Sequence, residues 1–152
     1  MKRAIICASF LVLVFGACRL CYAQAMDIVG LVDSFQKATD LQKDQLLKDN
    51  LGKEITGSGT VSNAGEYDFF DTVNDFRGTY YQVSLQQQKT KNNTLYQLIF
   101  LFKDKDKVRD INKGQAIQKD GKIIRIIDER LQIAVWIFCG ELTGSDKALF
   151  NR

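Results

Sequence analysis

Two stretches of the chain place glycine and a β-branched residue at the same four offsets. Residues 52–61, GKEITGSGTV, carry Gly52, Ile55, Gly59 and Val61; residues 114–123, GQAIQKDGKI, carry Gly114, Ile117, Gly121 and Ile123. Both read as strands. Glycine weakens a strand interior and marks a sharp bend or a close approach of backbone. Gly59 and Gly121 are therefore read as the bends of two coiled strands that pair with each other. Gly57 has no role in that account.

The segment ahead of the first motif has helical periodicity. Ile28, Leu31, Val32, Phe35 and Ala38 recur at three and four and form one apolar stripe. Thr39 or Asp40 can cap a restart, continued by Leu41, Leu46 and Leu47, and Asn50-Leu51-Gly52 supplies a stop. Residues 26–50 are thus predicted as one kinked helix or two short ones. Strands follow at 53–62, 79–88, 95–103, 115–127 and 131–142. Residues 63–78 are predicted as a long polar and aromatic loop, and 104–114 as a charged connection with room for a short helix. Alternation assigns the faces. Tyr81, Val83 and Leu85 point inward, with Tyr80, Gln82 and Ser84 outward. On the third strand Gln97 and Lys103 put the odd residues outside. In the last, Ile133, Val135, Ile137 and Cys139 face in, and Trp136 and Phe138 face out.

Five strands with one sizeable break, between the third and fourth, suit a small sheet that closes on itself to remove its edges. The predicted class is all-β, a five-stranded OB-fold β-barrel preceded by an N-terminal α-helical segment. The spacing Gly52-x2-Ile55-x3-Gly59-x-Val61 resembles the bacterial tRNA_anti-like family of exported OB-fold domains. There a Gly-Lys leads into the first strand and a Lys-Gly into the fourth; here these are Gly52-Lys53 and Lys113-Gly114. The resemblance covers about residues 40–142. The chain departs from the family's pattern in the 63–78 loop and in a more hydrophobic last strand. The family is named for its similarity to anticodon-binding domains, and the resemblance implies a binding module without implying RNA as the ligand.

The first 25 residues read as a signal peptide. A basic Met-Lys-Arg start precedes an apolar run from Ala4 to Cys18, and Ala23-Gln24-Ala25 offers a cleavage site. The alternatives are an uncleaved anchor and a lipoprotein acylated at Cys18. The expected organisation is a signal peptide over 1–25, a helical segment over 26–50, a barrel over 51–143 and a polar tail over 144–152. The expected location is periplasmic or secreted, with no membrane span once the signal is cleaved. Beyond residue 25 the chain has 18 basic and 18 acidic side chains, so the formal charge of +3 belongs to the leader. A neutral domain lacks the bulk basicity of non-specific nucleic-acid binders. Cys139 is the one cysteine left, so no internal disulfide is expected, and its apolar surroundings predict a buried, inert thiol.

Much chemistry is excluded outright. The chain has no histidine, which removes Ser-His-Asp and Cys-His pairs and every His-containing metal site. No Gly-Lys-Ser/Thr phosphate loop exists. Glu66, Asp68, Asp71 and Asp75 crowd the predicted loop, but their spacing matches no calcium loop, and they read as solvated. No catalytic residue, cofactor or metal is assigned. Binding remains. A ligand face is placed on strands two and three at Tyr80, Arg77, Gln82 and Lys103, where an exposed ring among cations would suit single-stranded nucleic acid or an oligosaccharide. A competing protein-partner patch is placed at Trp136 and Phe138. Unless the Ile28, Leu31 and Phe35 stripe of the helix covers that pair, it is an exposed apolar patch. A protein-interaction or envelope-associated role is preferred, and nucleic-acid or oligosaccharide binding is the alternative.

Overall fold

The computed structural model describes residues 27–71 and 76–143, without the side chains of residues 69–71, 76 and 77. The signal peptide, Cys18, Asp75 and the 144–152 tail therefore lie outside the described residues. Two helices, α1 (Ile28–Lys37) and α2 (Asp40–Asn50), precede the strands. They are followed by β1 (Glu54–Asp71), β2 (Phe76–Leu85), β3 (Gln88–Lys89), β4 (Leu95–Phe102), a short α3 (Asp106–Arg109), β5 (Ala116–Glu129) and β6 (Gln132–Cys139).

The two glycine motifs do pair. β1 and β5 run antiparallel, with Ile55 opposite Gly121 and Gly59 opposite Ile117. Equal offsets in antiparallel strands set each isoleucine across from the other motif's glycine. Gly52 and Gly114, with φ of 76° and 87°, open the two motifs in left-handed turns that suit glycine. Gly59 and Gly121 are not left-handed; what they supply is space. A Cβ on Gly59 would stand 2.6 Å from the Gln88 amide and 2.9 Å from Leu85 Cδ1. On Gly121 it would stand 2.5 Å from the Phe138 carbonyl oxygen. Gly57 finds its role here as well. It is buried, and its missing Cβ makes room for Leu98 Cδ1 and Phe100 Cζ, each 2.9 Å from where a Cβ would sit.

The sheet is all one. Its order is β2-β1-β5-β6-β4-β3, and β2 also pairs with β4, so five strands hydrogen-bond in a ring and the two-residue β3 hangs on its rim. Every neighbouring pair is antiparallel except β4 with β6. The inward residues follow the predicted alternation. Val83, Leu85, Leu98, Phe100, Ile133, Val135, Ile137 and Cys139 all join one buried cluster. β4 and β6 are buried on both faces, as their continuous apolar runs imply.

α1 fills the ring's interior from one end. Its Ile28, Leu31, Val32 and Phe35 belong to the same cluster as the inward strand residues. The expectation that this stripe covers Trp136 and Phe138 is thereby corrected: the stripe is used inside, where the larger apolar area waits. The chain breaks at Ala38 and restarts with the Thr39 N–H donating to the Gln42 side-chain oxygen at 2.9 Å. α1 is tied to the β3–β4 turn through Asp33, whose carboxylate accepts from Thr90 Oγ1 and Asn92 Nδ2, each at 2.6 Å. α2 is tied to the end of β5 by an ion pair between Lys43 and Asp128. α3 follows the far end of β4 and sends Val108 into the interior cluster.

The Thr90 hydroxyl, helped by Asn92, holds the Asp33 carboxyl below its usual range. A carboxyl lowered in the folded state contributes stability above the unfolded value, about 3.9, and loses it as pH falls through the folded one. Asp33→Asn is therefore expected to be less stable at neutral pH and to lose less on acidification than wild type. Urea midpoints at several pH values would test this; parallel acid losses would mean the strap does not depend on charge.

The predicted 63–78 loop is not a loop. β1 continues to Asp71 and pairs with β2 from Asn63 opposite Ser84 to Asp71 opposite Phe76, and beyond Tyr67 opposite Tyr80 the pair runs on as a two-stranded ribbon. A bulge at Ser62, whose hydroxyl donates to the Ser84 and Leu85 carbonyls at 3.0 Å each, shifts the register and lets the strand run on. The bulge also exchanges the faces: Val61 points inward before it, and Ala64 after it. The predicted second strand is likewise split, because pairing lapses between Leu85 and Gln88.

Candidate functional site

A second buried cluster lies outside the ring. Tyr80 of β2, Leu101 of β4, Ile124 of β5 and Phe138 of β6 form it, with Tyr67, Trp136 and Leu142 packed against them. The pairing explains why these side chains meet. Gln82 stands opposite Leu101, and Leu101 stands beside Phe138 in the parallel β4–β6 pair. The two patches read separately in the sequence, on strands two and three and on the last strand, are neighbours on one outer face.

That adjacency changes the role of Tyr80. It points outward, as alternation predicts, but only 2% of it is exposed. Its ring meets Phe138 edge-on, with centroids 6.1 Å apart and planes at 79°. The expected exposed stacking platform is instead part of a core, because four apolar outward residues from different strands cover one another. Phe138 has no exposed surface and is equally a core residue. Gln82 is half-buried between β1 and β4. Lys103 is exposed at the edge of the face, and its Nζ donates to Thr143 Oγ1 at 3.1 Å. The Arg77 side chain lies outside the described residues. Of the acidic residues, Asp68 accepts from Thr79 Oγ1 at 3.2 Å and Glu66 lies 3.7 Å from Lys105 Nζ across the surface.

Trp136 retains accessible surface, as do Tyr67 and Leu142. The β1–β2 ribbon lays Tyr67 against Trp136, with ring centroids 5.0 Å apart and planes at 51°. From β5, Arg125 holds its guanidinium carbon 6.0 Å from the indole centroid, at the limit for a cation–π contact. Ile124 faces outward by ordinary alternation after the inward Ile123, and the bulge between Ile123 and Arg125 keeps Arg125 on that same outer face, opposite Trp136, while Ile126 returns inward. The indole Nε1 is buried and has no hydrogen-bond partner among the described residues. Buried donors are normally paired, so this group is an anomaly within the cluster. Tyr67 and Arg125 were missed in the sequence. The alternation of Glu66 and Asp68 with Tyr67 is a strand signal that was available for the first; nothing local marks the second.

Beyond the cluster the same face turns polar. Gln87 Nε2 donates to Gln132 Oε1 at 2.9 Å, and Gln132 Nε2 donates to Gln97 Oε1 at 3.1 Å and to Glu129 Oε2 at 2.9 Å. These bonds fix the amides of β4, β6 and the β2–β3 connection at the rim of the ring. On the inner side Cys139 is buried, and burial pushes its thiol up to about 12, so it is protonated and inert at neutral pH. The sequence matches no family model and no curated protein.

Proposed function

We propose that the chain is an exported, non-enzymatic OB-fold binding module with a protein-interaction or envelope-associated role. The fold part of this reading is supported by the ring order. Leaving the short β3 aside, the first strand pairs with the second and fourth, the second with the third, and the third runs parallel to the fifth. That connectivity suits a five-stranded Greek-key barrel closed on itself, and the paired glycine motifs suit the tRNA_anti-like type. Export rests on the leader-like residues 1–25.

The observation that carries the function is the trio Trp136, Tyr67 and Arg125 on the outer face. Tryptophan, tyrosine and arginine are the residue types that dominate binding energy at protein interfaces. Here Tyr67 and Arg125 each stand against an indole whose N–H has no acceptor among the described residues. Single-strand binding on the same face is less well supported, because its stacking residue, Tyr80, is buried.

The expected result is a complex from envelope extract that survives high salt and is lost with Trp136→Ala. Arg125→Ala is expected to weaken it, and Trp136→Phe separates the ring from its N–H. A partner retained equally by Trp136→Ala would place docking elsewhere. Retention of single-stranded oligonucleotide at low salt, falling as salt rises, would favour the alternative.

A further inference from the structure

A cleft of about 340 Å³ opens where α1, the β3–β4 turn and the β5–β6 turn meet. Its volume sits at the small end of ligand sites, roughly 300–1,000 Å³. The lining is rich in amides. Gln36 comes from α1, Asn93 from the first turn and Gln132 from the start of β6. Gln132 is already fixed by its bonds to Gln97 and Glu129. The side-chain amides of Gln36 and Asn93 have no partner among the described contacts, so both keep donors and an acceptor for a ligand.

The charge of the cleft limits what it can take. Its carboxylates are Asp128, engaged by Lys43, and Glu129, engaged by Gln132. Arg130 is the one cation in the lining, and those two carboxylates precede it directly in the chain. A nucleic-acid backbone needs a cation for each phosphate it brings, and with Asp128 neutralised by Lys43 the charges of Glu129 and Arg130 cancel, leaving no net positive charge to hold one. An apolar peptide would need a greasy pocket, and the lining is mainly polar. Leu131 stands beside the amides, 82% exposed at the tip of the β5–β6 turn.

We propose that this cleft binds an uncharged, polyhydroxylated ligand, a neutral glycan. Each sugar hydroxyl is at once donor and acceptor and matches a primary amide on both counts. The apolar CH face of a sugar ring lies against Leu131. The rigid hairpin turn holds Asn93 in place, its φ of 68° being one that asparagine tolerates. The site shares none of Trp136, Tyr67 or Arg125 and stands or falls apart from the protein-partner reading.

The test is an NMR titration of the protein with maltohexaose, cellohexaose and chitohexaose, with oligo-dT as a charged comparison. At least one sugar is expected to shift the side-chain amide signals of Gln36, Asn93 and Gln132 saturably, with half-saturation near 1 mM, as suits few contacts in an open cleft. Gln36→Ala combined with Asn93→Gly is expected to weaken that binding about tenfold, the loss of roughly 1.4 kcal/mol. Both changes suit their backbones, alanine at an exposed position of α1 and glycine at a left-handed φ, so the variant remains folded. No shift of these amides with any of the three sugars at about 10 mM overturns the proposal. Equal binding by the double variant, or oligo-dT in place of sugar at these amides, overturns it too.

Discussion

Gly121→Ala is expected to destabilise the fold by about 3 kcal/mol or more, the upper part of the overpacking range, and to lower the melting temperature by roughly 10 °C. The added methyl would stand 2.5 Å from the Phe138 carbonyl oxygen, 2.6 Å from Ile137 Cγ2 and 3.0 Å from the Phe138 carbonyl carbon. Two of those three atoms are backbone. They belong to β6, which is held on its other side by the parallel pairing with β4. Relief therefore requires β5 and β6 to separate, and the ring offers no free edge at that point. Gly57→Ala meets only the ends of Leu98 and Phe100 and is expected to cost less, about 1–3 kcal/mol. Gly59→Ala meets the Gln88 amide, which is bonded to the Ser58 carbonyl but can swing away, and is expected to cost about 1 kcal/mol through that lost bond and a shift of Leu85. Thermal or urea melts of the three variants give the order directly. A Gly121→Ala protein that melts with wild type, or a Gly59→Ala protein that falls furthest, would show that backbone proximity is not what these glycines serve.

The pairing of the two motifs was legible because it is written twice. Equal spacing on two strands is information about both, and the antiparallel register with Ile55 against Gly121 follows from it. The faces of β2, β4 and β6 were legible for a simpler reason: period-two alternation is local, and Val83, Phe100 and Ile137 needed no knowledge of their neighbours to be placed inside. What lies across from what was not legible. Tyr80 and Phe138 are far apart in the chain and meet because β4 joins β2 on one side and β6 on the other. Read strand by strand, each was an exposed aromatic; read across the sheet, they bury each other. The strand beyond Ser62 was hidden by its composition, since asparagine, glycine and acidic residues imitate a loop while the bulge shifts the apolar positions by one.

Phe138→Ala is expected to cost about 3–5 kcal/mol, the range for a large aromatic removed from a closed site. The residue is wholly buried within the outer cluster, on a strand paired with both β4 and β5. Its loss removes the edge-on contact with Tyr80, worth roughly 0.5–1.5 kcal/mol beyond area alone. The resulting void cannot collapse easily, because Leu101 and Ile124 stand on paired strands whose spacing is fixed by the ladder. Trp136, one turn of the pleat away, should behave differently. Its indole is half-buried, and its buried N–H has no acceptor among the described residues, which is itself a cost. Trp136→Phe is therefore expected to leave stability within about 1 kcal/mol of wild type, the lost area being offset by removal of that donor. Partner capture should run the other way, with Trp136 variants folded but defective. Measured side by side, chemical melts and partner binding would divide one apolar stripe into a core residue, Phe138, and, if the proposed role holds, a binding residue, Trp136. If Phe138→Ala melts as wild type does, the outer cluster is not a second core, and the burial of Tyr80 has lost its cause.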